Sequence, residues 1–129
     1  MKIITLVENS CGNENCIAEH GLSIYIETEK HKLLLDTGQT DAIVKNAEVL
    51  GIDPSAVDTV ILSHGHYDHS GGILPFSKLN RTAQIIMQFS TCRMSGLLKV
   101  MFSLMMSCFF SAVSQAGGAI RRETKSCPA

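Results

Sequence analysis

An α+β domain is what the sequence predicts over residues 1–88, and three observations predict it. Two strand-like runs flank a turn at Glu29-Lys30, a helix-period stretch carries start and stop signals, and the run Thr59-Val60-Ile61-Leu62-Ser63 leads directly into a histidine-dense loop. Strands and helices therefore alternate within one short stretch of chain.

Taken in order, Lys2 to Val7 is an Ile-rich strand, and a polar loop follows it. Leu22, Ile24 and Ile26 then alternate with Ser23, Tyr25 and Glu27, the period-two pattern of a half-buried strand. His31 to Leu35 continues as Lys-Leu-Leu-Leu, so the two runs read as a hairpin whose second strand is buried on both faces. A helix comes next: Thr40 or Asp41 can cap its start, Ile43, Ala47 and Leu50 share a face, and Gly51 supplies the left-handed stop. Asp53-Pro54 opens a turn, because proline suits a first helical position. After the buried strand at 59–63, Gly71 to Leu79 reads as a short helix broken or kinked early by Pro75, and Thr82 to Gln88 as one more strand.

From about Phe89 the character of the chain changes. Residues 89–129 contain four of the six Met and four of the five Phe, yet no Asp, no His and a single Glu. Ser95, Lys99, Ser103, Ser107, Ser111 and Gln115 recur every four residues in an otherwise apolar stretch, which reads as an apolar helix with a narrow polar stripe. Leu97 to Val113 is shorter than the roughly 20 residues that span a bilayer, and Lys99 with its serines weakens it further. A buried segment is therefore expected over a membrane span.

Composition bounds the function classes. With 129 residues the chain is one domain of ordinary size. Eleven basic residues against 12 acidic, two Tyr and no Trp form no basic stripe and no stacking platform, so no nucleic-acid partner is expected. The N-terminus lacks the pattern of a signal peptide, and a cytoplasmic setting with reduced thiols is expected. Cys11 and Cys16 share a Gly/Asn-rich loop without a second pair at similar spacing, and they read as ordinary loop thiols.

The chemistry concentrates in His64-Gly65-His66-Tyr67-Asp68-His69. Five His and five Asp placed at random would give this pattern in about 3 chains in 10,000, so a loop that merely caps a strand end explains it poorly. Imidazole and carboxylate are donors that zinc and other borderline divalent ions prefer, and the end of an apolar strand is where α/β proteins tend to place chemistry. No His or Asp follows His69. Asp36-Thr37-Gly38 ends the hairpin, and Asp36 there is either a carboxylate that orients the loop or the start of an Asx turn. Gly71 and Gly72 are expected to leave room for the loop and to expose backbone amides for a phosphate or carboxylate. Tyr67 is expected to pack away from the donors.

The pairing of Leu33-Leu34-Leu35-Asp36-Thr37-Gly38 with Ser63-His64-Gly65-His66-Tyr67-Asp68-His69-Ser70-Gly71-Gly72 resembles the N-terminal part of a metallo-β-lactamase superfamily protein. Together with Glu19-His20-Gly21-Leu22-Ser23, it most resembles the 7,8-dihydropterin-6-methyl-4-(ribofuranosyl)aminobenzene-5'-phosphate synthase-like group. The resemblance covers residues 1–88. It implies an αββα sandwich, of which this chain carries the N-terminal half, and one or two zinc or other divalent ions. By that analogy His64 and His66 bind the first ion, Asp68 and His69 bind the second, and Asp68 also positions the catalytic hydroxide. Asp36 braces the loop from behind, and His20 overhangs the site as a substrate contact. The implied function is metal-dependent hydrolysis, or transfer on a dihydropterin phosphate, with a small-molecule substrate of phosphate ester, pterin or lactone type. The family's remaining ligands come from a C-terminal half, and residues 89–129 match none of it. The expectation is therefore an incomplete, inactive site with weak metal binding and an out-of-frame tail. The rival expectations are a noncatalytic fragment that binds metal or a partner protein, and a membrane-associated product anchored through 97–113.

Overall fold

The computed structural model describes residues 1–88 and 120–123. Six strands form one sheet in the order β1 (Lys2–Val7), β2 (Ser23–Glu27), β3 (Lys32–Leu35), β4 (Thr59–Leu62), β5 (Gln84–Gln88) and β6 (Ile120–Glu123). Connection length decides strand direction. β2 and β3 are antiparallel because a tight turn joins them, in which the Thr28 hydroxyl accepts the amides of Lys30 and His31 at 3.3 and 2.9 Å. β3, β4 and β5 are parallel because helices intervene: α1 (Ala42–Val49) between the first two, and α2 (Tyr67–Ser70) with α3 (Ile73–Leu79) between the next. β6 adds to β5, also in parallel.

One face of the sheet supplies the core. Leu6, Tyr25, Leu34, Val60, Leu62, Ile85 and Met87 are buried together with Ile43 and Ala47 of α1 and Ile73 and Phe76 of α3. Along β4 and β5 these residues fall at every second position, as a pleated strand requires. On the intervening positions Ile24, Ile26, Leu33, Leu35, Ile61 and Ile86 are only half-buried.

Two strand expectations need correction. In β2 the fully buried side chains are Ser23 and Tyr25, whereas the apolar Ile24 and Ile26 are half-buried. Tyr25 buries a large ring against the core, and the Ser23 hydroxyl is satisfied by donating to the Asp36 carbonyl at 2.9 Å. In β3 Leu34 alone is fully buried, and Leu33 and Leu35 are half-buried rather than enclosed.

The helices follow their local signals closely. The Thr40 hydroxyl accepts the Ala42 amide at 3.1 Å, while Asp41 pairs with Lys45 one turn on, and Gly51 ends the helix at φ +66°. Asp53 caps the single turn at Pro54–Ala56 by accepting the Ser55 amide. Pro75 does not break or kink α3. It occupies the first turn, where an amide has no intrahelical partner to lose, and the chain instead bends before it, at Gly71-Gly72.

Asn46 ties the long loop after β1 to the body. Buried in α1, it donates to the carbonyls of Leu6 and Ile17 at 2.7 and 2.8 Å and accepts the Ile17 amide at 2.8 Å. Asn46→Ala is expected to cost about 2–3 kcal/mol, because it strands buried backbone groups. A urea titration checks this, and limited proteolysis should show earlier cleavage in residues 8–20.

The expected apolar helix at 97–113 lies outside the described residues. Among the described residues no helix is long and apolar enough to cross a membrane.

Candidate metal centre

Three stretches of backbone meet at the C-terminal ends of β3 and β4. Asp36 N donates to Ile61 O, extending the β3–β4 ladder by one step, and Thr37 N donates to His69 O, both at 2.8 Å. Gly38 N reaches Leu22 O at 2.8 Å, Gly72 N reaches Gly38 O at 3.1 Å, and Leu22 N reaches Asp68 O at 3.3 Å. Such close approach needs residues without a Cβ. A Cβ on Gly21, which sits at φ +147°, would collide with the Asp68 carbonyl, and one on Gly72 with the Thr37 carbonyl. The amides of Gly71 and Gly72 are consequently spent on Tyr67 O and Gly38 O. The expectation that they stand open for an anion is therefore corrected: these glycines serve backbone packing.

Asp36 lies at the centre of the junction, 1% exposed and in the left-handed region at φ +56°. One carboxylate oxygen accepts the Ser63 amide at 2.7 Å, and the other lies 2.6 Å from the Ser63 hydroxyl and 2.7 Å from His69 Nδ1. The amides of Thr37 and Gly38 bond to His69 and Leu22 instead of to the Asp36 side chain, so the geometry is that of a loop-orienting carboxylate, not of an Asx turn.

The structure brings the histidine cluster together around it. The rings of His64 and His66 have centroids 4.6 Å apart, and those of His64 and His69 are 4.2 Å apart. Asp68 Oδ2 lies 3.5 Å from His69 Nε2 and equally far from His20 Nε2. His20, 78% exposed at its side chain, is also held by Asn9, whose Oδ1 is 3.0 Å from the ring Nδ1. His20 thus reaches the cluster from the loop after β1. In type, these imidazoles and carboxylates fit a divalent ion. In position, no three His, Cys, Asp or Glu side chains among the described residues converge closely enough to cage one as they stand.

The histidine segment is not a loop throughout: residues Tyr67–Ser70 form the short helix α2. Tyr67 is 57% exposed and does not pack. Cys11 and Cys16 are free thiols, and desolvation together with neighbouring Cys11 holds the Cys16 thiol above its ordinary pKa.

Two residues of the junction carry no sequence signal of their role. Glu19 accepts the amides of Gln39 and Thr40 at 2.8 and 3.0 Å and the Thr40 hydroxyl, fastening the segment before His20 to the turn after Asp36. Ser63 links Asp36 to His64, whose Nδ1 is 2.9 Å from the hydroxyl oxygen. Only their adjacency to His20 and His64 hints at either.

Comparison with known proteins gives the family and the fold. The model of the metallo-beta-lactamase superfamily matches residues 17–105. The 7,8-dihydropterin-6-methyl-4-(beta-D-ribofuranosyl)-aminobenzene-5'-phosphate synthase of Methanocaldococcus jannaschii is 40% identical over 84 residues, which is 60% of this chain and 29% of that protein. The chain thus spans less than a third of that relative's length. Two solved structures share the fold. A Thermotoga maritima protein described as a metallo-beta-lactamase candidate aligns over 95% of this chain and 58% of its own, with TM-score 0.55 and 19% identity. Human tRNase Z, short form, aligns over 98% of this chain and 46% of its own, with TM-score 0.58 and 13% identity.

Proposed function

This chain belongs to the metallo-beta-lactamase superfamily, and from that premise we propose that His64, His66, Asp68 and His69 hold a divalent metal, zinc being the ion best suited to the donors. The observation that carries the reading is the buried Asp36 carboxylate, which engages His69 through Nδ1 and leaves Nε2, 3.5 Å from Asp68 Oδ2, as the ring atom that can bind an ion.

A bound ion there would lower the pKa of a water toward neutrality and would stabilise negative charge on a phosphate, ester or lactone oxygen. The protein's own contribution is orientation. Asp36 fixes His69, Asp68 stands between His69 and His20, and His20 projects from a loop pinned by Asn46 and Glu19, where it can meet a substrate's anionic group. The substrate class proposed is a small phosphate ester, pterin or lactone, with hydrolysis or transfer on a dihydropterin phosphate as the reaction. The similarity to the Methanocaldococcus jannaschii synthase supports the pterin member of that set.

A second reading is favoured by one observation: no three His, Cys, Asp or Glu side chains among the described residues converge closely enough to cage an ion. The four donors of residues 64–69 by themselves would leave two for each of two ions, against the three protein ligands of a catalytic zinc. On this reading residues 1–88 bind one ion weakly and without turnover. Zinc titration against a chelator dye, followed by assays with a phosphodiester, a lactone and a dihydropterin phosphate, separates the two. Two tightly bound zinc ions with turnover support the enzyme. One weakly bound ion without turnover supports the noncatalytic domain, and zinc uptake unchanged in His69→Ala would sink both.

A further inference from the structure

We propose that Ser63 is a positioning residue whose hydroxyl extends the reach of Asp36 to His64, so that one buried carboxylate sets the tautomer of two histidines at once. The consequence for metal binding rests on the reading above; the tautomer itself does not.

The argument is one of hydrogen accounting. A carboxylate accepts and does not donate, so the Ser63 hydroxyl, 2.6 Å from Asp36 Oδ2, spends its only proton there. Towards His64 the same oxygen can then only accept, and the 2.9 Å contact requires His64 Nδ1 to carry a proton. His69 Nδ1, 2.7 Å from Asp36 Oδ2, is protonated for the same reason. In the neutral form of each ring the lone pair is then on Nε2, the state in which an imidazole can take up an electrophile. The Ser63 amide, 2.7 Å from Asp36 Oδ1, holds the backbone of the residue beside the same carboxylate that its hydroxyl engages. Ser63 is itself solvent-exposed, so packing does not account for a serine at this position.

The chain His64–Ser63–Asp36–His69 thus couples two rings whose centroids are 4.2 Å apart. A single oxygen, Asp36 Oδ2, accepts from both sides, and His69 reaches it directly whereas His64 reaches it only through Ser63.

Long-range proton–nitrogen correlation of the imidazoles in the full, metal-free chain at mildly alkaline pH tests this directly. The wild type should show both His64 and His69 protonated at Nδ1. In Ser63→Ala, His64 should revert to the Nε2-protonated form that free imidazole side chains favour, with His69 unchanged, and Ser63→Thr should restore the wild-type pattern. Zinc affinity should fall about tenfold in Ser63→Ala and recover in Ser63→Thr. An Nε2-protonated His64 in the wild type overturns the proposal, as does a Ser63→Ala variant with unchanged tautomer and affinity. If Ser63→Ala does not fold, the wild-type tautomer and the threonine variant decide. A wild type that takes up no zinc would instead overturn the metal reading, and the nitrogen spectra would still judge Ser63.

Discussion

Asp36→Asn is expected to reduce zinc affinity about 100-fold and to destabilise the domain by about 3 kcal/mol. Asparagine is the most severe test because it changes so little else. It is nearly isosteric, and it is among the few residues that accept the left-handed backbone at this position, where φ is +56°. What it lacks is a second acceptor. Asp36 accepts from the Ser63 amide, the Ser63 hydroxyl and His69 Nδ1. An amide offers one oxygen, and its NH2 group would face donors. If the oxygen keeps the Ser63 amide, the NH2 confronts the hydroxyl and His69; if it turns round, the Ser63 amide loses its acceptor. In either case His69 is freed to rotate or to change tautomer. Chelator competition measures the first effect and urea unfolding the second. Affinity within twofold of wild type would show that the buried carboxylate does not organise the donors.

The second large effect is expected at Gly72. Its backbone is ordinary, at φ −75°, so conformational freedom does not explain the glycine. Space does. A Cβ would overlap the Thr37 carbonyl and would lie 2.9 Å from Ile43 Cγ2 and from the Thr40 carbonyl. Two of those neighbours are backbone, and Thr37 is already fixed by its bond to His69 O. Gly72→Ala must therefore push the 36–40 turn off the start of α3, at a cost of about 3 kcal/mol, the upper end for inserting one methyl group into a packed region. Gly12, whose Cβ would meet nothing within 4 Å, is the control, and Gly12→Ala should stay within about 0.5 kcal/mol of wild type. Equal unfolding midpoints for the two variants would contradict the backbone packing described here.

Much of the fold could be read from local chemistry. Thr40 and Gly51 mark the limits of α1, Asp53-Pro54 marks the turn, and Thr59–Leu62 marks a strand, although one buried on alternate residues and not throughout, because each depends on neighbours in sequence. Where partners are distant, the sequence was less informative. The alternation in β2 distinguishes two faces of a strand but not which face the helices cover, and the burial of Ser23 depends on a carbonyl 13 residues away. Pro75 looked like a breaker because its place in the first turn of α3 depends on where Gly71-Gly72 bends the chain. The apparent openness of the Gly71 and Gly72 amides had a similar origin, since the Gly72 partner lies in the turn after β3. At the candidate site, the clustering of His64, His66, Asp68 and His69 follows from adjacency. Glu19, by contrast, works through Gln39 and Thr40, about 20 residues on, and no spacing rule reaches that far.

The mesh of amide-to-carbonyl bonds among Leu22, Thr37, Gly38, Asp68, His69 and Gly72 also bears on how the molecule breathes. Loops around a binding site usually belong to the weakest cooperative unit of a protein and open on their own. Here each of the three turns is clamped to another by main chain, and Asp36 continues the ladder between β3 and β4. Releasing any one of them means tearing the rim of the sheet. The amides of Leu22, Thr37, Gly38 and Gly72 therefore share the opening free energy of the central strands, and their protection against solvent exchange should rank with that of the strands rather than with that of the surface loops.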